Sequence, residues 1–212
     1  MKPIDYSLYL VTDRGLSGGR ATLEIVRAAV AGGVGCVQLR EKACSTGEFI
    51  AEATAIGDFL KSRGVPLFIN DRLDVALAVG ADGVHLGQKD MPLAMARAIV
   101  GRRLLIGISA ESVQDAVAAE RGGADYVSAS PIFATPTKTD TAPALGLEGL
   151  RAMRPRVSLP LIAIGGVHAG NAGALIRCGA DGVAVVSAIA AAADPAQAAA
   201  EILREIRKAR QG

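Results

Sequence analysis

One short joint recurs along this chain and limits what it can fold into. Gly-Ala-Asp-Gly-Val stands at 80–84 and again at 179–183, Gly-Ala-Asp-Tyr-Val stands at 123–127, and Gly33-Val34-Gly35-Cys36-Val37 is a looser version of it. In each case a stretch with helical patterning ends at the glycine, and a short apolar run begins at the valine. Glycine accepts the left-handed backbone that stops a helix, and a β-branched residue then starts a buried strand. The aspartates of these joints are therefore expected at the far end of the sheet, with structural work and no catalytic role.

Strands are predicted at Leu8–Thr12, in the run from Val34 through Gln38, and at Pro66–Ile69, Gly83–Leu86, Leu104–Ile108, Tyr126–Ala129, Leu161–Ile164 and Gly182–Val186. Helical patterns fall between them: Thr22 to about Ala31, Thr46–Ser62 with Thr46 as N-cap, Leu73–Val79, a helix from near Pro92, Ser112–Arg121, Leu147–Arg154, Ala169–Arg177 and a closing Pro195–Arg210. Unbroken apolar strands suit a parallel sheet covered by helices. Eight strand–helix units in 212 residues predict a closed (β/α)8 TIM barrel, read as one domain over residues 1–212.

Composition removes several classes of function. A net charge of +2, with aromatic residues at only 3%, argues against a nucleic-acid or membrane surface. No apolar stretch reaches a membrane span, and no signal-peptide pattern opens the sequence. Cys36, Cys44 and Cys178 are odd in number and lack metal-type spacing, so reduced thiols in a cytoplasmic protein are expected, with Cys36 and Cys178 packing as small apolar residues.

In a barrel of this kind the chemistry lies at the C-terminal ends of the strands. There the sequence places Gln38, Arg40 and Lys42, then Asn70 and Asp71, then Gly87-Gln88-Lys89-Asp90, Ser109, the segment Thr135-Pro136-Thr137-Lys138, Gly165-Gly166 and Val186-Ser187. Arg40, Lys42, Lys138 and Asn70 are donors suited to a diphosphate. Asp71 and Asp90 on neighbouring strand ends suit Mg²⁺ held jointly with substrate oxygens. Gly165-Gly166 and Val186-Ser187 suit a monophosphate. Ordinary structural roles stay open for each: Arg40 and Lys42 paired with Glu41 or loop carboxylates, Asp71 paired with Arg72 or capping a helix, Asp90 capping the helix after Met91-Pro92, and Gly165-Gly166 as a tight turn. His85 shares strand parity with Gly83 and Gly87 and is either a core or a site histidine. His168 is expected at the surface or as a cap.

Taken together, Leu8-Tyr-Leu-Val-Thr-Asp13, Val37-Gln-Leu-Arg-Glu-Lys42, Ile69-Asn-Asp-Arg72, Gly83-Val-His-Leu-Gly-Gln-Lys-Asp-Met-Pro92, Pro136-Thr-Lys138, Ala163-Ile-Gly-Gly166 and Val185-Val-Ser-Ala188 resemble the thiamine-phosphate synthase family over nearly the whole chain. The resemblance implies a (β/α)8 barrel that couples hydroxymethylpyrimidine diphosphate to a thiazole phosphate, using Mg²⁺ and releasing diphosphate. It implies that Gln38, Arg40, Lys42, Asn70 and Lys138 meet the pyrimidine diphosphate, with Ser109 near the diphosphate. Asp71 and Asp90 would hold Mg²⁺, and Thr135, Thr137, Gly166, Val186 and Ser187 would meet the thiazole phosphate. Arg40, Lys42, Lys138 and Ser109 are the catalytic candidates. Ser128-Ala-Ser-Pro131 departs from the glycine-rich Gly-x-Gly-Pro associated with strand six.

Such a reaction needs no general base, which fits a strand-end set rich in cations and poor in bases. The Pro/Thr-rich segment 131–145 carries Lys138 and is expected to close over the diphosphate. The rival readings are a thiazole-phosphate isomerase on the same barrel, a non-catalytic phosphate-ligand sensor, and a generic phosphate-binding isomerase. The first has no need of Arg40, Lys42, Asp71, Asp90 and Lys138 together. The partners expected are the two small substrates, with self-association left open.

Overall fold

Strand and helix alternate because each strand carries an apolar outer face that a helix must cover. A computed structural model of the chain describes residues 4–135 and 142–211. Eight parallel strands, β1 (Leu8–Val11), β2 (Cys36–Leu39), β3 (Leu67–Asn70), β4 (Gly83–Leu86), β5 (Leu105–Ala110), β6 (Tyr126–Ala129), β7 (Leu161–Ile164) and β8 (Gly182–Val185), pair in sequence order, and β8 pairs with β1 to close the barrel. Around them lie α1 (Thr22–Ala31), α2 (Thr46–Lys61), α3 (Leu73–Val79), α4 (Leu93–Val100), α5 (Val113–Arg121), α6 (Gly146–Met153), α7 (Ala169–Arg177), α8 (Ser187–Ala190) and α9 (Pro195–Gln211). The (β/α)8 expectation holds, and no described helix is long and apolar enough to cross a membrane.

Some local expectations need correcting. Ser45, not Thr46, caps α2: its hydroxyl accepts from Glu48 N while the Glu48 carboxylate accepts from Ser45 N, a complete capping box. The four-residue α8 after β8, and short 3₁₀ turns at Arg14–Leu16 and Arg154–Arg156, are additional elements. The joint glycines behave as their sequence requires, with φ of 99° at Gly33, 63° at Gly80, 86° at Gly123 and 100° at Gly179.

The joint aspartates share one job at the end of the barrel away from the strand tips. Asp82, Asp125 and Asp181 each turn a carboxylate oxygen back to the backbone N–H of the preceding strand, at Leu67, Ile106 and Leu161, at 2.7–2.8 Å. Arg97 and Arg154 clasp Asp125 and Asp181 in turn. Backbone donors that would otherwise open each strand unpaired are thus satisfied by a charge.

The side chains divide into two layers by strand parity. Val37, Leu39, Ile69, Val84, Ile106 and Val127 face outward and pack against the helices. Tyr9, Val11, Cys36, Phe68, Tyr126, Ile162 and Ala184 fill the barrel interior. Tyr126 fits only because β5 carries a glycine opposite it: a Cβ at Gly107 would lie 2.0 Å from Tyr126 Cζ. The next inward positions toward the strand tips, Gln38, Asn70, His85 and Ser128, are buried and polar.

Candidate active site

Above that layer the strand tips enclose a cavity of about 400 Å³. Gln38, Arg40, Lys42, Asn70, Asp71, Asp90, Ser109, Thr135, Gly166, Val186 and Ser187 all line it. Thr137 and Lys138 lie outside the described residues, as does the whole of 136–141 in the segment expected to close over the diphosphate. Residues separated by as much as 149 positions, Gln38 to Ser187, therefore meet in one space.

Arg40 follows β2, where the backbone is held by a hydrogen bond from Arg40 N to Thr12 Oγ1 at 3.0 Å. Its guanidinium donates to Asp13 at 2.7 Å. Lys42 forms an ion pair with Asp71 across to the tip of β3. Both cations thus pair with loop carboxylates, as their ordinary reading allowed, but they do so on the cavity wall. Glu41 points elsewhere and is bound by Arg14, which also reaches Glu52.

Asp71 has the left-handed backbone, φ 60°, and is the one described non-glycine residue with positive φ. Aspartate tolerates that conformation better than most residues, and Asp71 N is anchored on His85 O at 2.9 Å. Neither structural alternative for Asp71 holds: Arg72 sits at the N-cap position of α3 and gives its guanidinium to Asp74 and Thr46. Asp90 does not cap α4, whose N-cap position is Pro92; its carboxylate accepts from Gly87 N at 2.7 Å and turns toward Asp71. Burial pushes the Asp90 carboxyl above its ordinary range, and the neighbouring Asp71 carboxyl pushes it further. Asp90, which holds negative charge reluctantly beside a second carboxylate, has an environment a cation relieves.

On the opposite wall Gly165 and Gly166 have φ of 105° and 65°. A Cβ on Gly165 would come within 2.8 Å of Pro131, so the turn is required by close packing as well as by conformation. Among the described residues, the backbone N–H groups of Gly166, Ser187 and Ala188 find no protein acceptor. Ser128, Ser130 and Pro131 also line the cavity, so the departure from a glycine-rich strand six leaves small residues at the wall.

The floor is a chain of side-chain hydrogen bonds. Gln38 Nε2 donates to Tyr9 Oη at 3.2 Å, Tyr9 Oη lies 3.0 Å from Tyr126 Oη, Tyr126 Oη lies 2.8 Å from His85 Nδ1, and His85 Nε2 lies 2.9 Å from Ser109 Oγ. His85 is thus both buried and part of the cavity lining. Tyr9 and Tyr126 were missing from the sequence-based set, because a tyrosine in an apolar run looks like core. The inward parity they share with Gln38 and His85 is the signal that would have found them. Gln88 and Lys89, expected at the strand ends without an assigned role, also line the cavity, and Glu111 is a further lining residue beyond the expected set. His168 caps α7, accepting from Gly170 N, and takes no part.

Known proteins resemble this chain in sequence and in fold. The profile of the family described as "Thiamine monophosphate synthase" matches residues 8–189. A thiamine-phosphate synthase of Albidiferax ferrireducens is 56% identical over 91% of this chain and 88% of its own length. One of Chloroflexus aurantiacus is 53% identical over 94% of this chain and 92% of its own. The solved structure of a thiamine phosphate pyrophosphorylase from Pyrococcus furiosus superposes with a TM-score of 0.90 at 37% identity, covering 97% of this chain and 98% of that one. Sequence and fold agree along almost the entire length, and the chain belongs to the thiamine monophosphate synthase family.

Proposed function

We propose that the reaction of this family, coupling hydroxymethylpyrimidine diphosphate to thiazole phosphate with release of diphosphate, runs here in the strand-tip cavity with Mg²⁺. Arg40, Lys42, Asn70, Ser109 and Lys138 hold the diphosphate, and Gln38 holds the pyrimidine. Thr135, Thr137, Gly166, Val186 and Ser187 take the thiazole phosphate. The observation that carries the reading is the meeting of Arg40, Lys42 and Asn70 with the Asp71–Asp90 pair on one wall, facing bare backbone donors on the other.

The bond that breaks joins the methylene carbon to the diphosphate oxygen, and its electron pair leaves with the diphosphate. The bond that forms joins that carbon to the thiazole nitrogen, whose lone pair carries no proton. No base is needed. The chain's task is to stabilise charge gathering on the leaving group with fixed donors and to hold two anions within contact distance.

Asp71 and Asp90 fit a divalent cation with oxygen ligands and would hold it jointly with diphosphate oxygens and water. Among the described residues no group of three or more acidic, histidine or cysteine side chains gathers elsewhere to compete for it. Bound there, Mg²⁺ would neutralise diphosphate oxygens and lower the barrier to departure. The three unpaired cysteines support a cytoplasmic setting. The test is formation of thiamine phosphate from the two purified substrates: product and diphosphate in equal amounts with Mg²⁺, loss on chelation, recovery when Mg²⁺ returns. Full turnover in the chelator would remove the metal from this account.

A further inference from the structure

The five side chains of the cavity floor come from five strands, β2, β1, β6, β4 and β5, and four of them, Gln38, Tyr9, Tyr126 and His85, are no more than 7% exposed. Their hydrogen bonds have a direction. Gln38 Nε2 only donates, so Tyr9 Oη accepts from it. Tyr9 then gives its single proton to Tyr126, whose hydroxyl is a stronger acceptor than the Cys36 thiol that also lies against Tyr9. Tyr126 in turn gives its proton to His85 Nδ1. An imidazole that accepts at Nδ1 carries its proton on Nε2, and that proton goes to Ser109 Oγ. With one lone pair of Ser109 occupied in this way, its own O–H is left to turn into the cavity it lines.

We infer that Tyr9, Tyr126 and His85 are positioning residues: their one-way chain fixes the His85 tautomer and makes Ser109 a hydrogen-bond donor to the diphosphate leaving group. The inference rests on the synthase reading and extends it to residues that act on the reaction through Ser109. Ser109 is the catalytic member: Gln38 at the other end of the chain holds the pyrimidine, and Ser109 meets the leaving group. A hydroxyl able to rotate freely would offer lone pair or proton indifferently. One whose acceptor side is occupied offers the proton, which is what an oxygen gaining negative charge requires.

Three features keep the order in place. Burial pushes both phenols well above their ordinary range, so neither loses its proton as the pH changes over working conditions. Tyr126 is wedged by Phe68, edge on at 5.4 Å, and by Tyr9 at 6.1 Å between ring centres. Gly107 leaves the space that the Tyr126 ring occupies. The protein also simplifies the test, because it holds only two histidines.

The experiment has two arms on the full-length chain. In the first, ¹⁵N-histidine spectra are recorded with and without hydroxymethylpyrimidine diphosphate, and a His168→Asn variant assigns the second signal. The expected result is a proton on Nε2 and a bare Nδ1 at His85 in both states. A proton on Nδ1 would mean the chain runs in reverse, with the Gln38 amide turned over, and overturns the inference. This arm needs no turnover, so it succeeds or fails independently of the synthase reading.

In the second arm, Tyr126→Phe, Ser109→Ala and the double variant are compared by kcat and KM, with the thermal midpoint as a check on folding. Tyr126→Phe should lower kcat about tenfold, with the KM for thiazole phosphate unchanged and the His85 tautomers mixed. The double variant should turn over no more slowly than Ser109→Ala alone, because Tyr126 acts only through Ser109. Ser109→Thr, which retains the hydroxyl, should recover most of the rate. Losses that multiply in the double variant, or a Tyr126→Phe enzyme with parental kcat, would refute the positioning role.

Discussion

Asp71 illustrates how a single backbone angle aims a functional group. Its φ of 60° swings the carboxylate toward Lys42 and Asp90 instead of into the cap of α3. Asn tolerates the same conformation, so Asp71→Asn removes charge without adding backbone strain. A folded enzyme needing about tenfold or more Mg²⁺ for half-maximal rate is the expected outcome, read from a Mg²⁺ titration of diphosphate release. Arg40 offers a cleaner test of the anion wall. Its guanidinium is partly solvated and its partner Asp13 is too, so removal leaves no buried charge behind. Arg40→Ala should lower kcat/KM by about a hundredfold, or ~3 kcal/mol of transition-state stabilisation, while the thermal midpoint stays within a few degrees. Near-parental kinetics would take Arg40 out of the diphosphate site.

The secondary-structure elements were legible in the sequence to the extent that burial leaves a linear trace. Strands apolar on both faces are contiguous apolar runs, and the glycine joints mark where each helix stops, so all eight strands could be located. Length defeats the same reasoning at α8, where four residues contain no period to detect. Adjacent hydroxyls defeat it at α2, since Ser45 and Thr46 are both good caps and only the backbone angle separates them. Ser45→Ala tests that assignment: it should cost about 1 kcal/mol in chemical denaturation, whereas Thr46→Ala should cost distinctly less. At the site, charged residues at strand ends stand out against an apolar background, and Arg40, Lys42, Asp71 and Asp90 line the cavity, whereas Glu41 turns away from it. Tyr9 and Tyr126 do not stand out, because the same aromatic ring serves packing and hydrogen bonding and only the closed sheet reveals which hydroxyls meet.

Across the whole molecule, one buried acid couples stability to pH. Glu41 lies between Arg40 and Lys42 in sequence but faces inward, with its side chain 3% exposed and its Oε1 lacking a partner among the described residues. Burial pushes its carboxyl above the ordinary glutamate value of 4.5, and Glu52 adds to this while Arg14 opposes it. The folded state therefore holds this proton more tightly than the unfolded chain does. Its contribution to stability is fully present below about pH 4.5 and is lost as the pH rises through the higher folded-state value. Glu41→Gln should flatten the stability profile over that interval and leave the protein at least as stable at pH 7, as urea unfolding at several pH values would show. An unchanged slope would mean that Arg14 compensates the Glu41 charge fully.

The aspartates that hold the strand starts sit a full strand length from the cavity. Folding security and reactivity are thereby assigned to opposite poles of the same cylinder. A designer seeking a new substrate could redraw the loops around the opening wholesale and still recover folded protein, whereas a few neutralised carboxylates at the other pole would leave nothing to redesign.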